Sequence, residues 1–219
     1  MPDPQSPDGT GTEARASDRK SYHHGNLRQA LVEATADLVQ EQGPQAFTLT
    51  EAARRAGVSP AAPYRHFKGR EDLLEEVARQ GFLEFATRLE TAFDGGRPRP
   101  LSAFLRMGQT YLDFAADRPG YYMAMFESGL SIAGNADLAA ASGRAQGVLV
   151  SAAEALASRL PPDRRPPVRM VANHIWALSH GVVELFGRGR PGTRSPVEPS
   201  QMLESGVMIY LRGLGLIQE

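Results

Sequence analysis

The chain has 219 residues, with 24 Lys and Arg against 25 Asp and Glu, and 42% of its residues are hydrophobic. This composition is typical of a folded globular protein and excludes the collagen-like and wholly disordered classes. Cysteine is absent, which excludes a disulfide framework, a thiolate zinc site and a cysteine nucleophile. The first residues lack the basic and apolar regions of a secretory signal, and no run of about 18 apolar residues is present to span a bilayer. We therefore expect a cytoplasmic protein without a membrane partner.

The N-terminal region divides into a polar tail and a first helix. Residues 1–20 are rich in Pro, Asp, Gly, Thr and Ser and predict a disordered tail. Apolar residues then recur at helical spacing from Asn26 to Gln42, which predicts helix 1. Asn26 is a suitable N-cap for this helix, and Gly43 is a suitable residue to follow its end.

Two short helices are predicted next. Thr48 supplies a hydroxyl three residues before a carboxylate, the spacing of a capping box, so a second helix begins there and ends before Gly57. Ser59 followed by proline is typical of a new helix start, and a third helix is expected over residues 60–67. A second proline, Pro63, lies early enough in this helix to remove only one backbone hydrogen bond.

The rest of the chain shows helical periodicity, interrupted by loops rich in Pro, Gly and Arg. A continuous apolar stripe predicts one long helix over residues 70–93. Five further helices are expected over residues 101–116, 119–128, 136–159, 167–187 and 197–216. No segment shows the two-residue alternation of a β-strand. The sequence therefore predicts an all-α fold of about nine helices.

Residues 48–67 have the pattern of a helix-turn-helix, in which the second helix enters the DNA major groove. The charge distribution supports this interpretation. Residues 19–70 carry eight Lys and Arg against four Asp and Glu, a net charge of +4 in a chain whose formal net charge is −1. Because a local excess of positive charge attracts the phosphate backbone, this end of the chain is the predicted DNA-binding part.

Position in the motif suggests a physical role for each candidate DNA contact. The N-termini of the two short helices offer N–H groups and the hydroxyls of Thr48 and Ser59 to phosphate. Tyr64 and Lys68 are four residues apart and are placed to hold a phosphate between them. Small residues near the helix start allow the backbone to approach base edges. The predicted DNA-binding residues are Thr48, Ser59, Ala61, Ala62, Tyr64, Arg65, His66 and Lys68.

Alternative interpretations stay open for Tyr64 and for two arginines of the second helix. Tyr64 packs against helix 1 if its role is structural. Arg54 and Arg55 are more typical of a solvated helix face than of side chains that read bases.

Three segments of the N-terminal region lie at the spacing of a single motif: Phe47-Thr48-Leu49-Thr50-Glu51-Ala52-Ala53, Ala56-Gly57-Val58-Ser59 and Tyr64-Arg65-His66-Phe67-Lys68-Gly69-Arg70-Glu71-Asp72-Leu73-Leu74. Together they resemble the DNA-binding domain of the TetR family of bacterial transcription regulators, over residues 22–82. The resemblance implies that Thr48, Ser59, Tyr64, His66 and Lys68 contact DNA or position the recognition helix. Pro63 departs from the Leu, Ile or Phe that most members have before the tyrosine.

Two further segments are Trp176-Ala177-Leu178-Ser179-His180-Gly181 and Tyr22-His23-His24-Gly25-Asn26-Leu27-Arg28. They are similar to a subgroup of this family whose C-terminal domain is named for a Trp-His-Gly (WHG) signature. The resemblance implies a DNA-binding domain at residues 21–82 and an effector-binding and dimerisation domain at residues 83–219.

The C-terminal region contains Met and aromatic residues at helical spacing, which line an effector pocket or simply fill a core. Under the first interpretation the pocket residues are Met107, Tyr111, Phe114, Tyr122, Met125, Phe126, Trp176 and His180. His174, His180 and Glu184 suggest a metal site, but His180 and Glu184 at i and i+4 lack a third ligand at suitable spacing. A histidine that packs beside Trp176, and either fixes a ligand or is hydrogen-bonded in the core, is the favoured interpretation. No cofactor is predicted.

The last two predicted helices are apolar on more than one side, so other helices must pack against them on several sides. They form a four-helix arrangement with a second copy across a two-fold axis, or they close the core of a single chain. The predicted dimer-interface residues are Ile175, Leu178, Val182, Phe186, Leu203, Val207, Tyr210 and Leu214.

These observations lead to one functional hypothesis and two alternatives. The hypothesis is a homodimeric, ligand-responsive repressor that places two recognition helices on a palindromic operator, about 34 Å apart. The alternatives are a DNA-binding accessory protein without an effector and an activator of the same fold. An enzyme is not expected, since no phosphate-binding Gly-rich loop, nucleophile motif or metal-ligand spacing is present. The expected partners are double-stranded DNA, a small-molecule effector of unknown identity and a second copy of the chain.

Overall fold

The computed structural model describes residues 14–188 and 196–217, with side chains from residue 27 onward within those ranges. These described parts contain eight α-helices and no β-strand, which confirms the all-α class. The helices are α1 (Ala14–Gln42), α2 (Leu49–Arg55), α3 (Arg70–Phe93), α4 (Pro100–Asp117), α5 (Pro119–Phe126), α6 (Ala136–Ala157), α7 (Val168–Val182) and α8 (Pro199–Gly213). A π-helical turn at Val183–Gly187 directly follows α7.

Most predicted helix boundaries lie within a few residues of the observed ones, but the N-terminus differs. Because α1 begins at Ala14, residues 14–20 are helical rather than part of a tail, and Asn26 lies inside the helix rather than at its N-cap. The Ala, Arg and Lys of this stretch have good helix propensities, so a helix nucleated downstream extends through them. Residues 1–13 of the predicted tail lie outside the described residues.

The apolar stripe of α1 is buried against α2, α3 and α5. A very close approach occurs at Gly120 of α5, where a Cβ atom would lie only 2.0 Å from the carbonyl oxygen of Ala36. Glycine at this position therefore lets the backbones of α1 and α5 meet directly. This contact joins the first helix of the N-terminal half to the C-terminal half.

α3 connects the two halves of the molecule. It has 24 residues, a length of roughly 36 Å at the usual rise per residue, and it packs against α1, α4, α5 and α6. The ring of Phe85 lies 5.1 Å from Tyr111 and 5.0 Å from Phe114, centre to centre. The expected division between residues 82 and 83 thus falls inside a continuous helix rather than in a linker.

α6, α7 and α8 complete the C-terminal half around α4. Two glycines allow close helix approach: a Cβ at Gly108 of α4 would lie 3.3 Å from Leu203, and one at Gly206 of α8 would lie 3.2 Å from Leu178. Small residues at these crossings explain how α8 packs closely on both α4 and α7. None of the described helices is long and apolar enough to cross a membrane.

Candidate nucleic-acid interface

α2 begins with a complete capping box, as the sequence predicts. The backbone N–H of Thr48 donates to Glu51 Oε2 at 2.8 Å, and the N–H of Glu51 donates to Thr48 Oγ1 at 3.2 Å. The hydroxyl and the backbone N–H of Thr48, which both donate to the Glu51 carboxylate, lower the pKa of that carboxyl. The Thr48 hydroxyl also donates to the same carboxylate at 2.9 Å. In this structure it therefore holds the helix terminus.

The turn after α2 depends on a glycine. Gly57 has a φ of 70°, in the left-handed region that residues with a Cβ rarely adopt. The following N–H, that of Val58, donates back to the Ala53 carbonyl at 2.9 Å. This closure of the helix end directs the chain away from α2 and into the next segment.

The recognition segment, residues 59–67, is not the continuous helix that the sequence predicts. Only Pro63–Arg65 is helical, as a single 3₁₀ turn. Pro63 has no N–H to donate to the Ser59 carbonyl, which accepts instead from the N–H of Ala62 at 2.9 Å. The prediction of about nine helices is therefore too high by one α-helix. Pro63 does not merely remove one hydrogen bond from a third helix, because residues 59–67 form no α-helix at all.

Burial divides the recognition segment into an anchored side and an exposed side. Pro63 and Phe67 are buried, and the Arg28 guanidinium lies 5.2 Å from the centre of the Phe67 ring. Tyr64 is 63% exposed, so it does not pack against α1 as the alternative interpretation requires. The structure leaves Ala62 and His66 half-buried, and it exposes Thr48, Ser59, Ala61, Tyr64, Arg65 and Lys68.

Two basic side chains of this region have structural contacts that the sequence does not predict. Arg55 donates two hydrogen bonds of 2.6 Å to the Glu41 carboxylate. Arg70 donates to the Pro44 carbonyl at 2.8 Å and lies 5.5 Å from the centre of the Phe47 ring. These guanidinium groups brace the loop between α1 and α2.

Three other basic side chains, those of Arg54, Arg65 and Lys68, are exposed. Within the described parts of the chain, no carboxylate lies at ion-pair distance from any of them. We call these three residues and Tyr64 the exposed basic set. Cations without an internal partner are suited to phosphate, because DNA binding then breaks no ion pair and releases counterions.

Glu76 of α3 links this helix to α1 through its side-chain hydrogen bonds. Its side chain is 6% exposed and accepts hydrogen bonds from Arg28 at 2.6 Å and from Arg79 and Gln80 at 2.8 Å. Burial by itself would raise the pKa of the Glu76 carboxyl, but the hydrogen bonds from Arg79, Arg28 and Gln80 lower it to about 2. Because Arg28 belongs to α1, this cluster sets the position of α1 on α3.

The first prediction concerns this carboxylate. Glu76→Gln is expected to lower the free energy of unfolding by about 2 kcal/mol at neutral pH, since charged hydrogen bonds to partly exposed guanidinium groups are lost. The carboxyl pKa is about 2 in the folded protein against an ordinary 4.5. Its stabilisation is therefore complete above the ordinary pKa and is lost as the pH falls towards the folded value. Urea unfolding at a series of acid and neutral pH values measures the effect.

The control for this prediction is Glu154→Gln, which changes an exposed carboxylate of α6. It should unfold like the natural chain at every pH. The difference between Glu76→Gln and the natural chain should shrink in acid, and a difference that stays constant would contradict the assignment.

The residues predicted to line an effector pocket are divided between two cavities and the core. Met107 and Tyr111 line a cavity of about 400 Å³ between α4, α7 and α8, which we call the α4 cavity. Phe126, Trp176 and His180 line an open cleft between α5, α6 and α7, which we call the histidine cleft. The other predicted residues are buried and line neither of these two: Phe114, Tyr122 and Met125.

Burial also divides the predicted dimer-interface residues. Four are at most 4% exposed within one chain, so their burial needs no second copy; they are Ile175, Val182, Leu203 and Val207. The half-buried ones are Leu178, Phe186, Tyr210 and Leu214. On the same helices and the π turn, Met170 is 52% exposed, Leu185 73% and Ile209 71%. Helical periodicity did not single out these three.

Two side chains that were considered as metal ligands have other partners. His174 Nδ1 lies 2.8 Å from the Tyr210 hydroxyl, and Glu184 accepts a hydrogen bond from Arg188 at 3.2 Å. Among the residues that the structure describes, no three His, Asp or Glu side chains are grouped so that they could hold a metal ion.

Two family models match this chain. The model described as bacterial regulatory proteins, tetR family, matches residues 31–77. The model described as tetracyclin repressor-like, C-terminal domain, matches residues 104–208. The first match contains the helix-turn-helix with the exposed basic set. The second contains every lining residue of the histidine cleft and all of those of the α4 cavity except Ser102.

The curated relatives are also regulators by name. The HTH-type transcriptional regulator YobS of Bacillus subtilis is 26% identical over 100 residues, which are 46% of this chain and 51% of YobS. The HTH-type transcriptional regulator BetI of Rhizobium meliloti is 47% identical over 52 residues, 24% of this chain and 26% of BetI. The chain thus matches about half or less of the length of these relatives.

Solved structures share the whole fold. A protein with unknown function from Rhodococcus sp. RHA1 has a TM-score of 0.72 at 24% identity and covers 88% of this chain and 97% of its own. The TetR family transcriptional regulator PfmR from Thermus thermophilus has a TM-score of 0.66 at 19% identity, over 83% of this chain and 97% of PfmR.

Proposed function

Because the chain belongs to the TetR family of transcriptional regulators, we propose that it is a ligand-responsive repressor that binds a palindromic DNA operator as a homodimer. In this proposal residues 21–82 read DNA, and residues 83–219 bind the effector and form the dimer. The Trp176 and His180-Gly181 pattern supports a place in the WHG subgroup.

The observation that carries the DNA-binding proposal is the exposed basic set. Tyr64, Arg65 and Lys68 lie on or directly after a single turn anchored by buried Pro63 and Phe67. Their side chains are exposed in a region that has an excess of positive charge. A turn that is anchored on its buried side and presents exposed cations and a phenol fits phosphate contact on the walls of a major groove. The small, exposed Ala61 would allow the backbone to approach base edges.

DNA binding is tested by selection with the full-length protein. A random duplex library is incubated with the protein, and the bound duplexes are enriched and sequenced. We expect a palindromic consensus that binds roughly a thousandfold more tightly than a scrambled duplex, measured by fluorescence anisotropy at about 150 mM salt. Equal weak binding to both duplexes would contradict the proposal.

A reporter gene behind the selected site distinguishes a repressor from an activator. Reporter expression rises on removal of this protein if it represses, and falls if it activates. An effector must bind free and operator-bound dimer with different affinities, because coupling between two sites is reciprocal. Operator affinity that stays unchanged with every small molecule tested would favour the alternative of an accessory protein without an effector.

The proposed dimer contact uses the exposed apolar side chains of α7, the π turn and α8. Exposed large apolar residues are typical of association surfaces, and a two-fold axis brings the same residues of both copies together. Met170, Leu185 and Ile209 therefore replace the buried Ile175, Val182, Leu203 and Val207 in the proposed interface. The half-buried Leu178, Phe186, Tyr210 and Leu214 stay in it.

Ile209→Asp is expected to convert the dimer to a monomer, because the proposed interface would then bury a carboxylate in place of an apolar side chain. Sedimentation equilibrium should then give the mass of one chain, 23.7 kDa, instead of twice that mass. The matched control is Ile132→Asp, which adds the same charge at a residue 36% exposed before α6. A dimer that survives Ile209→Asp, or one that is lost equally in the control, would rule out this interface.

A further inference from the structure

Two buried tyrosines converge on one nitrogen of His180. The hydroxyl oxygen of Tyr122 lies 2.6 Å from His180 Nδ1, and that of Tyr111 lies 3.4 Å from the same atom. The two tyrosines are only 1% and 2% exposed. Three side chains, one each from α4, α5 and α7, therefore form one hydrogen-bonded group.

The direction of these hydrogen bonds follows from the donors available. Each tyrosine hydroxyl has one hydrogen atom to donate. Among the described residues, His180 Nδ1 is the only atom in hydrogen-bond geometry with either hydroxyl. Burial raises the pKa of both tyrosines, so both keep their protons at neutral pH.

His180 Nδ1 is the acceptor at the end of this group. If Nδ1 carried a proton instead, the Tyr122 and Tyr111 hydroxyls would have no acceptor in hydrogen-bond geometry among the described residues. A neutral imidazole whose Nδ1 is unprotonated carries its proton on Nε2. Tyr111 and Tyr122 together thus select the tautomer of His180.

In the histidine cleft, the proton on His180 Nε2 is available to donate a hydrogen bond to a ligand. His180 lines the cleft, and within the described parts of the chain its Nε2 has no hydrogen-bond partner. Aromatic rings form the walls: the Phe126 ring centre lies 5.2 Å from that of His180 and 6.2 Å from that of Trp176.

The remaining polar groups of the cleft are neutral. The side-chain amides of Gln146 and Asn173 are joined by a hydrogen bond of 3.0 Å, and no lining residue is an acid, a lysine or an arginine. A ligand carboxylate would find no cation there, and a ligand cation would find no carboxylate. Burial of either charge would be costly.

We infer that the histidine cleft binds a neutral aromatic molecule with a carbonyl oxygen, and that the Nε2–H of His180 donates to that oxygen. The rings of Phe126 and Trp176 pack on the aromatic part, while His180 selects the carbonyl group. This inference rests on the proposed function only where it identifies the bound molecule as the effector.

The tautomer is tested first, without any ligand. Long-range proton–nitrogen NMR of the full-length protein distinguishes a protonated Nε2 from a protonated Nδ1, and the spectrum of His180→Gln identifies the His180 signals. We expect the proton on Nε2 in the natural chain and a mixture of tautomers in Tyr122→Phe, which lacks the nearest hydroxyl. A proton on Nδ1 in the natural chain would overturn the inference.

Ligand selection is tested with 1-tetralone and tetralin, two bicyclic probes that differ in the carbonyl group. The chain has one tryptophan, so a single indole N–H signal reports binding in the cleft. The natural chain should bind 1-tetralone about tenfold more tightly than tetralin. His180→Phe should bind both equally, and His180→Gln, which keeps an N–H donor, should regain part of the preference.

Equal binding of both probes by the natural chain, binding of neither, or an unchanged preference in His180→Phe would overturn the inference. The selected DNA duplex separates this failure from that of the proposed function. If the probes fail while specific DNA binding persists, only the inference falls. If DNA binding fails while the carbonyl preference is found, the repressor proposal falls and the cleft assignment stands.

Discussion

Gly120→Ala is expected to lower the melting temperature by roughly 6 to 12 °C, the largest stability effect of any glycine substitution in the described helices. The added Cβ would lie 2.0 Å from the Ala36 carbonyl oxygen and 2.7 Å from its carbonyl carbon. Since both are backbone atoms of α1, no side chain can rotate away. The two helices must separate, and we expect about 3 kcal/mol of lost stability.

The matched control is Gly143→Ala in α6, where the added Cβ meets no atom within 4 Å. Alanine is the better helix former at an open position, so this variant should be unchanged or more stable by up to about 1 kcal/mol. Thermal unfolding followed by circular dichroism compares the two. A melting temperature for Gly120→Ala equal to that of the control would show that the close approach of α1 and α5 is wrong.

Removal of two cations from the exposed basic set should weaken DNA binding about a hundredfold at physiological salt. The double variant Arg65→Ala, Lys68→Ala loses two exposed side chains without an ion pair in the described structure. If both contact phosphate, the slope of log affinity against log salt concentration becomes shallower by about two. Anisotropy titrations of the selected duplex at several salt concentrations give that slope.

A charge-matched control separates local contact from net charge. Arg159→Ala, Arg169→Ala removes the same number of charges from exposed positions in the C-terminal half. It should leave the salt slope unchanged. Parallel slopes for the two double variants would mean that Arg65 and Lys68 act only through the overall field, which would remove the main support for this DNA-binding surface.

The sequence was most informative where one local rule decides the structure. The Thr48 capping box, the turn at Gly57 and the long helix that begins at Arg70 are all local patterns, and the structure has them at the predicted residues. Pro63 shows where such rules conflict. Good N-cap chemistry at Ser59 predicts a helix, but a proline four residues later removes the hydrogen bond that would complete its first turn.

The site was harder to predict than the fold, because side-chain partners come from distant parts of the chain. Nothing near Arg28 in sequence indicates that Glu76 is its partner, or that Arg55 pairs with Glu41. Helical spacing placed Met107 and Phe114 on one face of α4, yet Met107 lines the α4 cavity and Phe114 does not. Which part of an apolar face meets a void depends on the helices packed against it, and periodicity carries no such information.

The packing of α1 on α5 has a consequence for protein engineering. Hybrid regulators that join the DNA-reading half of one protein to the sensing half of another are simplest when the halves are separate modules. In this chain α1 belongs by sequence to the first half and by packing also to the second. A junction inside α3 would place a foreign α1 on Gly120, so a working hybrid must transfer the face of α1 around Ala36 together with α5.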